Sequence, residues 1–223
     1  MKKECLVSVG LVALVVLIGG LLPPHYYAQV EPAAGDKEQA YQSLLAKLKG
    51  FDRSIDFKAL RVAYSETSLY DPMGDWAREV GARRAILKAL EDKDYEKALE
   101  SAQALLAKNY LNIFAHSVCR FAYKQLNDLN QHEFHQFVEN GLINSILSSG
   151  DGKSPETAYW VISLSEEYAL FRYLGWRPTK QSLNHAHGHS YDRIAATNLQ
   201  TGETEVVYFN VDTLFACYGK TRK

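Results

Sequence analysis

The chain is poor in cysteine, and its charges almost cancel. Three of its 223 residues are cysteine, and 25 Lys and Arg stand against 26 Asp and Glu. A nearly neutral chain has no basic excess to attract nucleic acid, so we expect no nucleic-acid partner. Cys5 lies at the extreme N-terminus, so Cys119 and Cys217 are the only cysteines left as candidate zinc ligands in the rest of the chain. Two cysteines alone do not make a zinc site.

Two motifs of catalysis and nucleotide binding are also missing. The sequence contains no G-x-S-x-G motif, which would hold a nucleophilic serine on a strand-to-helix turn. Gly152-Lys153-Ser154 ends like a phosphate-binding loop, but Leu147 stands where that loop requires its leading glycine. We therefore predict no cofactor.

The N-terminus has the pattern of an export signal. Lys2 and Lys3 precede an apolar run over residues 6–22, and two prolines follow it. The run is shorter than the roughly 20 residues that cross a bilayer comfortably. Two outcomes stay open: cleavage after Ala28 or within 32–34, and retention as an N-terminal membrane anchor. Either places the protein in the periplasm or cell envelope, with membrane contact only through an uncleaved segment.

An oxidising compartment leaves the two remaining cysteines with two outcomes. Cys119 and Cys217 could form a disulfide, since such compartments permit it. Cys119 lies on the apolar side of a predicted helix, however, where a buried free thiol is the usual state.

Apolar residues recur at helical spacing through the first two thirds of the chain. The predicted helices cover about 36–49, a short stretch after Asp56, 75–90, a stretch beginning after Asp92 or Asp94, 112–126 and 129–147. Short connections make neighbouring helices antiparallel. The segment from Tyr70 to Gly74 is expected to be a loop, and the helix after it is expected to bury Trp76, Val80, Ile86, Leu87 and Leu90.

The pattern changes after residue 148. A loop is expected over 149–155, a strand or late helix over 159–164, and a helix over 166–174. Three strands are predicted at about 180–184, 190–196 and 203–211, which would form an antiparallel meander packed on the helices. The fold class is therefore α+β. The predicted organisation is 1–28 as signal peptide or N-terminal anchor, 29–36 as linker, 37–148 as helical region and 149–223 as an α+β region packed on the helices.

Two resemblances support this organisation. The segments Asp94–Leu99 and Ala104-Leu105 resemble the second helix of a tetratricopeptide repeat, although His132 stands 34 residues after Ala98, where that repeat needs a small residue. This match covers about residues 79–147 and implies stacked helical hairpins.

The mature chain as a whole resembles a family of exported bacterial proteins classed only as a domain of unknown function. The resemblance implies a tetratricopeptide-like front half, an α+β back half and no assigned activity. The segments that carry it are Tyr70-Asp71-Pro72 to Gly74, Gly141-Leu142 to Ser145-Ile146-Leu147, Ser149 to Ser154, Thr157-Ala158-Tyr159 to Val161-Ile162, Glu166-Glu167-Tyr168, and Gly188 to Asp192.

Three alternating histidines are the best candidate metal ligands. On a regular strand, His185, His187 and His189 would point to one face and could bind zinc with an open fourth position. Gly188 interrupts the run where a hairpin turn is expected, so an exposed polar turn is the simpler interpretation. His132-Glu133-Phe134-His135 misses the zinc-protease motif H-E-x-x-H by one residue, and we interpret it as a surface or half-buried helical face.

The same region holds the candidate catalytic residues. His189, Tyr191 and Asp192, with Glu167 from the preceding helix, could line one cleft of a hydrolase-like or metal-dependent envelope enzyme. A polar anchor that fixes the hairpin onto the helices is the simpler interpretation. The leading hypothesis is a non-catalytic exported module whose helical region binds a protein or peptide, because stacked hairpins create concave surfaces.

Overall fold

The computed structural model describes residues 34–220 and the side chains of residues 35–216. The predicted export segment, most of the predicted linker and the side chain of Cys217 lie outside this range. Six helices come first, as predicted. They are α1 Ala34–Lys49, α2 Phe57–Ser65, α3 Pro72–Glu91, α4 Tyr95–Leu106, α5 Ile113–Gln125 and α6 Leu129–Leu147.

Short polar side chains fix the starts of four of these helices. Asp56, Asp94, Asn112 and Asp128 each accept a hydrogen bond from the backbone N–H three residues ahead, in the order α2, α4, α5, α6. Such caps satisfy N–H groups that the helix itself leaves unpaired. Short capped connections then make α3 to α6 an array of antiparallel hairpins, which confirms the predicted helical part of the fold.

The start of α3 corrects the sequence prediction. The segment predicted as a loop contains the first turn of the helix, because Asp71 caps it and Pro72 occupies its first position. Asp71 accepts from the N–H of Gly74 at 3.0 Å. A Cβ on Gly74 would lie 1.9 Å from the Asp71 carboxylate, so glycine permits this close approach.

The buried face of α3 is also different from the predicted one. Val80 and Leu87 are 49% and 45% exposed, whereas Ile86 is buried as expected. Asp75 and Glu79 take the interior positions instead. Two of the five apolar residues predicted to be buried therefore lie on the outer side of the helix.

The rest of the chain is the predicted antiparallel meander with two additions. Its elements are β1 Tyr159–Trp160, α7 Leu164–Leu174, β2 Trp176–Ala186, β3 His189–Asn198, β4 Thr204–Asn210 and α8 Asp212–Lys220. The sheet order is β1-β4-β3-β2. The short β1 pairs parallel with β4, and α8 follows the last strand; neither feature was predicted.

One apolar core joins the sheet to the first helices. Leu60 of α2, Leu142 of α6, Leu170 of α7 and Phe209 of β4 belong to it and are fully buried. A second core lies within the hairpins, where Ile86 packs among alanines of α4 and α5. The α+β fold is therefore confirmed, and the sheet packs directly on the helices.

A buried ion pair reinforces this junction. The Arg61 guanidinium of α2 donates to both oxygens of Glu166 in α7, at 2.8 and 2.6 Å. It also donates to Ser145 Oγ at 3.2 Å and to the carbonyl of Trp160 at 3.0 Å. Both charged groups are almost fully buried, so the loss of either one would leave the other as an unpaired charge in the interior.

Candidate functional site

A groove lies between α1 and helices α4 to α6, and aromatic side chains line it. Its volume is about 560 Å³, within the usual range for ligand sites. The rings come from four elements: Tyr41 of α1, Tyr110 of the α4–α5 connection, Tyr123 of α5 and Phe134 of α6. An adjoining depression of about 480 Å³ shares Tyr110 and Phe134 with it. The two together are named the helical groove.

The larger part of the helical groove is lined by cations without anions. Lys49 and Lys108 line it, and no carboxylate of the described residues does. The Nζ atom of Lys49 lies 4.7 Å from the centre of the Tyr110 ring, which holds this cation at the edge of the groove. Glu133 lines only the smaller depression. The larger part therefore favours neutral or acidic ligands.

A pair of histidines forms the polar floor of the helical groove, in which only His135 lines the groove and His116 lies buried behind it. The Nδ1 atoms of His116 in α5 and His135 in α6 are 2.8 Å apart, and Nε2 of His116 is 2.8 Å from the carbonyl oxygen of Tyr110. Burial lowers the pKa of His116 to about 3 and that of His135 to about 4. Both rings are therefore neutral near pH 7.

Sequence reasoning missed this pair. His135 is buried, which corrects its interpretation as part of a surface or half-buried face. His132, one turn earlier, is half-buried and bonds the carbonyl of Arg120 at 2.9 Å. His116 was not singled out, although it lies among the apolar residues Ile113 and Cys119 of α5. The available sequence signal was its position on the apolar face of a predicted helix, which indicates a buried histidine.

Cys119 is buried on the same helix, and burial raises the pKa of its thiol to about 12. The side chain of Cys217 lies outside the described residues, so the pairing of these two cysteines stays a prediction.

The structure gives the three candidate metal ligands separate partners. His185 Nδ1 is 3.2 Å from Ser190 Oγ, His187 Nε2 is 3.2 Å from a Glu156 oxygen, and His189 Nδ1 is 2.5 Å from Asp212 Oδ2. Between 35 and 216, no three His, Cys, Asp or Glu side chains are placed to hold a metal ion.

The hairpin turn explains why these histidines diverge. His187 and Gly188 form a two-residue turn between β2 and β3, with φ angles of 53° and 81°. Two positive φ angles are typical of a type I′ turn, which suits the twist of the strands. The alternation of a regular strand therefore does not extend through the three histidines.

Two of the four candidate catalytic residues meet beneath α7. The Glu167 carboxyl lies near the Asp192 carboxyl, and burial together with the Asp192 charge raises the pKa of Glu167 well above its usual value. Burial also raises the pKa of Asp192, which accepts from Gln181 Nε2 at 2.6 Å. Neither oxygen of Glu167 has a hydrogen-bond partner among the described residues. Glu167 therefore keeps its proton to a higher pH than an exposed glutamate does.

The other two candidates belong to the opposite face of the sheet. Tyr191 is adjacent to Asp192 on β3, and neighbouring residues of a strand point to opposite faces. Its ring lies 6.3 Å from that of His189, which contacts Asp212 at the start of α8. The structure thus brings Glu167 and Asp192 together, and separates them from His189 and Tyr191. Asp212, the partner of His189, was not anticipated from the sequence.

The fold and the helical groove together define an α+β protein in which antiparallel helical hairpins carry a small sheet. The family model described as "Domain of unknown function (DUF4919)" matches residues 29–220. This match covers most of the chain, so the protein belongs to that family. Comparisons with curated proteins and with solved structures found no match. None of the helices in the described part of the chain is long and apolar enough to cross a membrane.

Proposed function

We propose that the protein is a non-catalytic interaction module whose helical groove binds a segment of a partner protein or peptide. The observation that carries this proposal is the open groove of about 560 Å³ with aromatic rings from four elements around a polar floor. Aromatic side chains offer large contact areas at a small loss of conformational freedom, and they are enriched where proteins bind one another. Charge favours a neutral or acidic segment, since Lys49 and Lys108 line this part of the groove.

We further propose that the module works outside the bacterial cytoplasm, in the periplasm or cell envelope. The two N-terminal lysines and the apolar run over residues 6–22 support export. Fractionation of cells that express the full chain with a C-terminal tag tests this proposal. We expect the tag in the periplasmic or membrane fraction, and a cytoplasmic protein would contradict it. N-terminal sequencing then separates cleavage after Ala28 from retention as an anchor.

The alternative, a hydrolase-like or metal-dependent envelope enzyme around residues 189–192, has weaker support. Its candidate residues lie on two faces of the sheet, so they do not surround one reacting atom. The geometry of the helical groove supports binding more directly.

A pair of variants on α6 tests the binding proposal. A library of random peptides displayed on phage is selected against the full chain, and the recovered peptides are synthesised for measurements of Kd. Gln131 is exposed and lines both parts of the helical groove, so Gln131→Trp should obstruct it and weaken binding about tenfold or more. Gln136, exposed on the same helix, does not line the groove, so Gln136→Trp is the matched control. Recovery of no peptide, or equal binding by both variants, would overturn the proposal.

A further inference from the structure

The hydrogen bonds of the floor fix which ring nitrogens carry protons. A backbone carbonyl only accepts, so Nε2 of His116 must donate to Tyr110. His116 is neutral, and its Nδ1 is therefore a bare acceptor. The 2.8 Å contact between the two Nδ1 atoms then requires His135 to donate from Nδ1. In a neutral ring this leaves Nε2 of His135 without a proton.

This bare nitrogen keeps some accessible surface. Nε2 of His135 has no hydrogen-bond partner among the described residues, and it is also absent from their buried unpaired atoms, which are Ser165 Oγ and the two Glu167 oxygens. His135 lines the helical groove, so the groove is the accessible space beside this nitrogen. The ring is held in place because it stacks on Tyr123, with centroids 5.5 Å apart and planes 18° apart.

Tyr123 supplies the complementary group beside it. Its hydroxyl oxygen accepts from Gln103 Nε2 at 3.1 Å, which leaves the hydroxyl proton available to donate. The stacked pair therefore presents one acceptor, His135 Nε2, and one donor, the Tyr123 hydroxyl. In an extended chain, the N–H and the carbonyl of one residue point to the same side and carry the matching donor and acceptor.

We propose that the stacked His135–Tyr123 pair recognises the backbone of one residue in an extended, neutral or acidic peptide segment. The N–H of that residue donates to His135 Nε2, and the carbonyl of the same residue accepts from the Tyr123 hydroxyl. The aromatic rings of the groove hold the flanking side chains, and Lys49 and Lys108 disfavour basic segments. The inference rests on the proposed function, since it names the chemistry by which the helical groove would hold its partner.

The proton positions are tested first, without any ligand. The full chain is prepared with ¹⁵N in the histidine rings, and nuclear magnetic resonance identifies the protonated nitrogen of each ring at pH 7. We expect Nε2–H in His116 and Nδ1–H in His135. A proton on Nε2 of His135 would overturn the inference and leave the proposed function untouched.

Two small peptides then test recognition. N-acetylglycine N-methylamide carries the N–H and the carbonyl of one glycine residue, whereas N-acetylsarcosine N-methylamide lacks that N–H. Titration of each into the labelled full chain should shift the His135 ring resonances, with the sarcosine peptide binding about fivefold more weakly because one hydrogen bond is lost. Equal affinities, or no shift at His135, would overturn the inference.

Variants of tyrosine separate recognition from packing. Tyr123→Phe keeps the stacked ring and removes only the hydroxyl, so it should weaken binding of N-acetylglycine N-methylamide about fivefold. Tyr173→Phe, an exposed tyrosine of α7, is the matched control and should bind like the parent protein. Equal affinities of these two variants would contradict the role of Tyr123. If the glycine peptide binds as expected and no displayed peptide is recovered, the failure belongs to the proposed function and not to the recognition of a residue's backbone.

Discussion

The hairpin array of α3 to α6 and the sheet-bearing part of the chain surround buried carboxyls differently. In the hairpins these carboxyls meet donors: Asp75 accepts from Tyr64 and Asn109 at 2.9 Å each, and Glu79 accepts from Asn112 at 3.1 Å. In α7, neither oxygen of Glu167 has a hydrogen-bond partner among the described residues, and a second acid, Asp192, lies nearby. The hairpins therefore supply donors to their buried carboxyls, whereas the sheet side favours the neutral form of a carboxyl that meets none.

Two adjacent residues of α7 show the same difference at closer range. Glu166 points to Arg61 and receives hydrogen bonds from its guanidinium and from the N–H of Ile162 at 2.8 Å. Glu167 points to the sheet, where burial and the Asp192 charge raise its pKa. Both side chains are buried, so the available donors, and not depth, distinguish the two sites.

The largest expected effect comes from removing the donors of Glu166. Arg61→Met would leave a buried carboxylate unpaired, and we expect the free energy of unfolding to fall by about 3–5 kcal/mol. Urea denaturation at pH 7 measures it. Arg177→Met, at an exposed position of β2, is the control and should change stability little. A loss below about 1 kcal/mol for Arg61→Met would mean that Glu166 is also neutral, and the contrast with Glu167 would disappear.

The histidine pair should produce a loss of stability in acid. The unfolded chain binds protons at these histidines below about pH 6.5, whereas folded His116 and His135 bind them only near pH 3 and pH 4. Stability that is present above pH 6.5 is therefore lost as the pH falls through this window, by on the order of 3 kcal/mol for each of the two rings. Urea denaturation between pH 7 and pH 4 measures the loss.

A substitution within the pair tests the source of this acid loss. His135→Gln removes one of the two titrating rings and keeps an amide donor for His116, so about half of the loss should disappear. His185→Gln changes an exposed histidine of β2 and should leave the loss unchanged. Equal acid losses in the two variants would show that the hairpins do not hold their histidines neutral.

The carboxyl pair should give a smaller effect of opposite sign. Folded Glu167 keeps its proton at pH values where the unfolded chain, with a pKa near 4.5, has released it. Stability that is present below pH 4.5 is therefore lost as the pH rises through the raised pKa of the folded state. Glu167→Gln is neutral at every pH and can donate to Asp192, so it should be about 2 kcal/mol more stable than the parent at pH 9.

Its measurement is urea denaturation from pH 5 to pH 9. Glu156→Gln is the control, because Glu156 is an exposed carboxylate on the loop before β1. If Glu167→Gln and Glu156→Gln follow the same pH dependence, Glu167 is ionised in the folded protein and its pKa is not raised.

The sequence predicted the elements well because local signals define them. Asp56, Asp94 and Asn112 begin helices as their side chains require, and the strands of the meander have strong β-propensity. The parallel pairing of β1 could not be predicted, since two residues carry no periodicity and depend on the position of β4. Helix α8 was missed because the last strand prediction extended to Val211, directly before it.

The candidate sites were harder to predict, because they depend on contacts between distant elements. The sequence placed four candidate residues in one cleft, and two of them, Glu167 and Asp192, do lie close together. His189 and Tyr191 are near Asp192 in sequence, but alternation along the strand directs their side chains to the other face of the sheet. The groove floor needs α5 to bring His116 against His135, 19 residues away. No sequence motif with a fixed spacing identifies such a contact between two helices.

The smallest expected effect tests the outer face of α3, where the sequence pattern failed. Since Asp75 and Glu79 fill the interior of this helix, Leu87 is left 45% exposed while Ile86 beside it is fully buried. Leu87→Ala should therefore change the free energy of unfolding by about 0.5 kcal/mol or less. Ile86→Ala, a change of similar size at the neighbouring position, should cost about 2–5 kcal/mol. Urea denaturation of the two variants compares them directly. Equal losses would mean that Leu87 packs against something that covers this face, and the polar interior of α3 would no longer explain why the apolar residues lie outside.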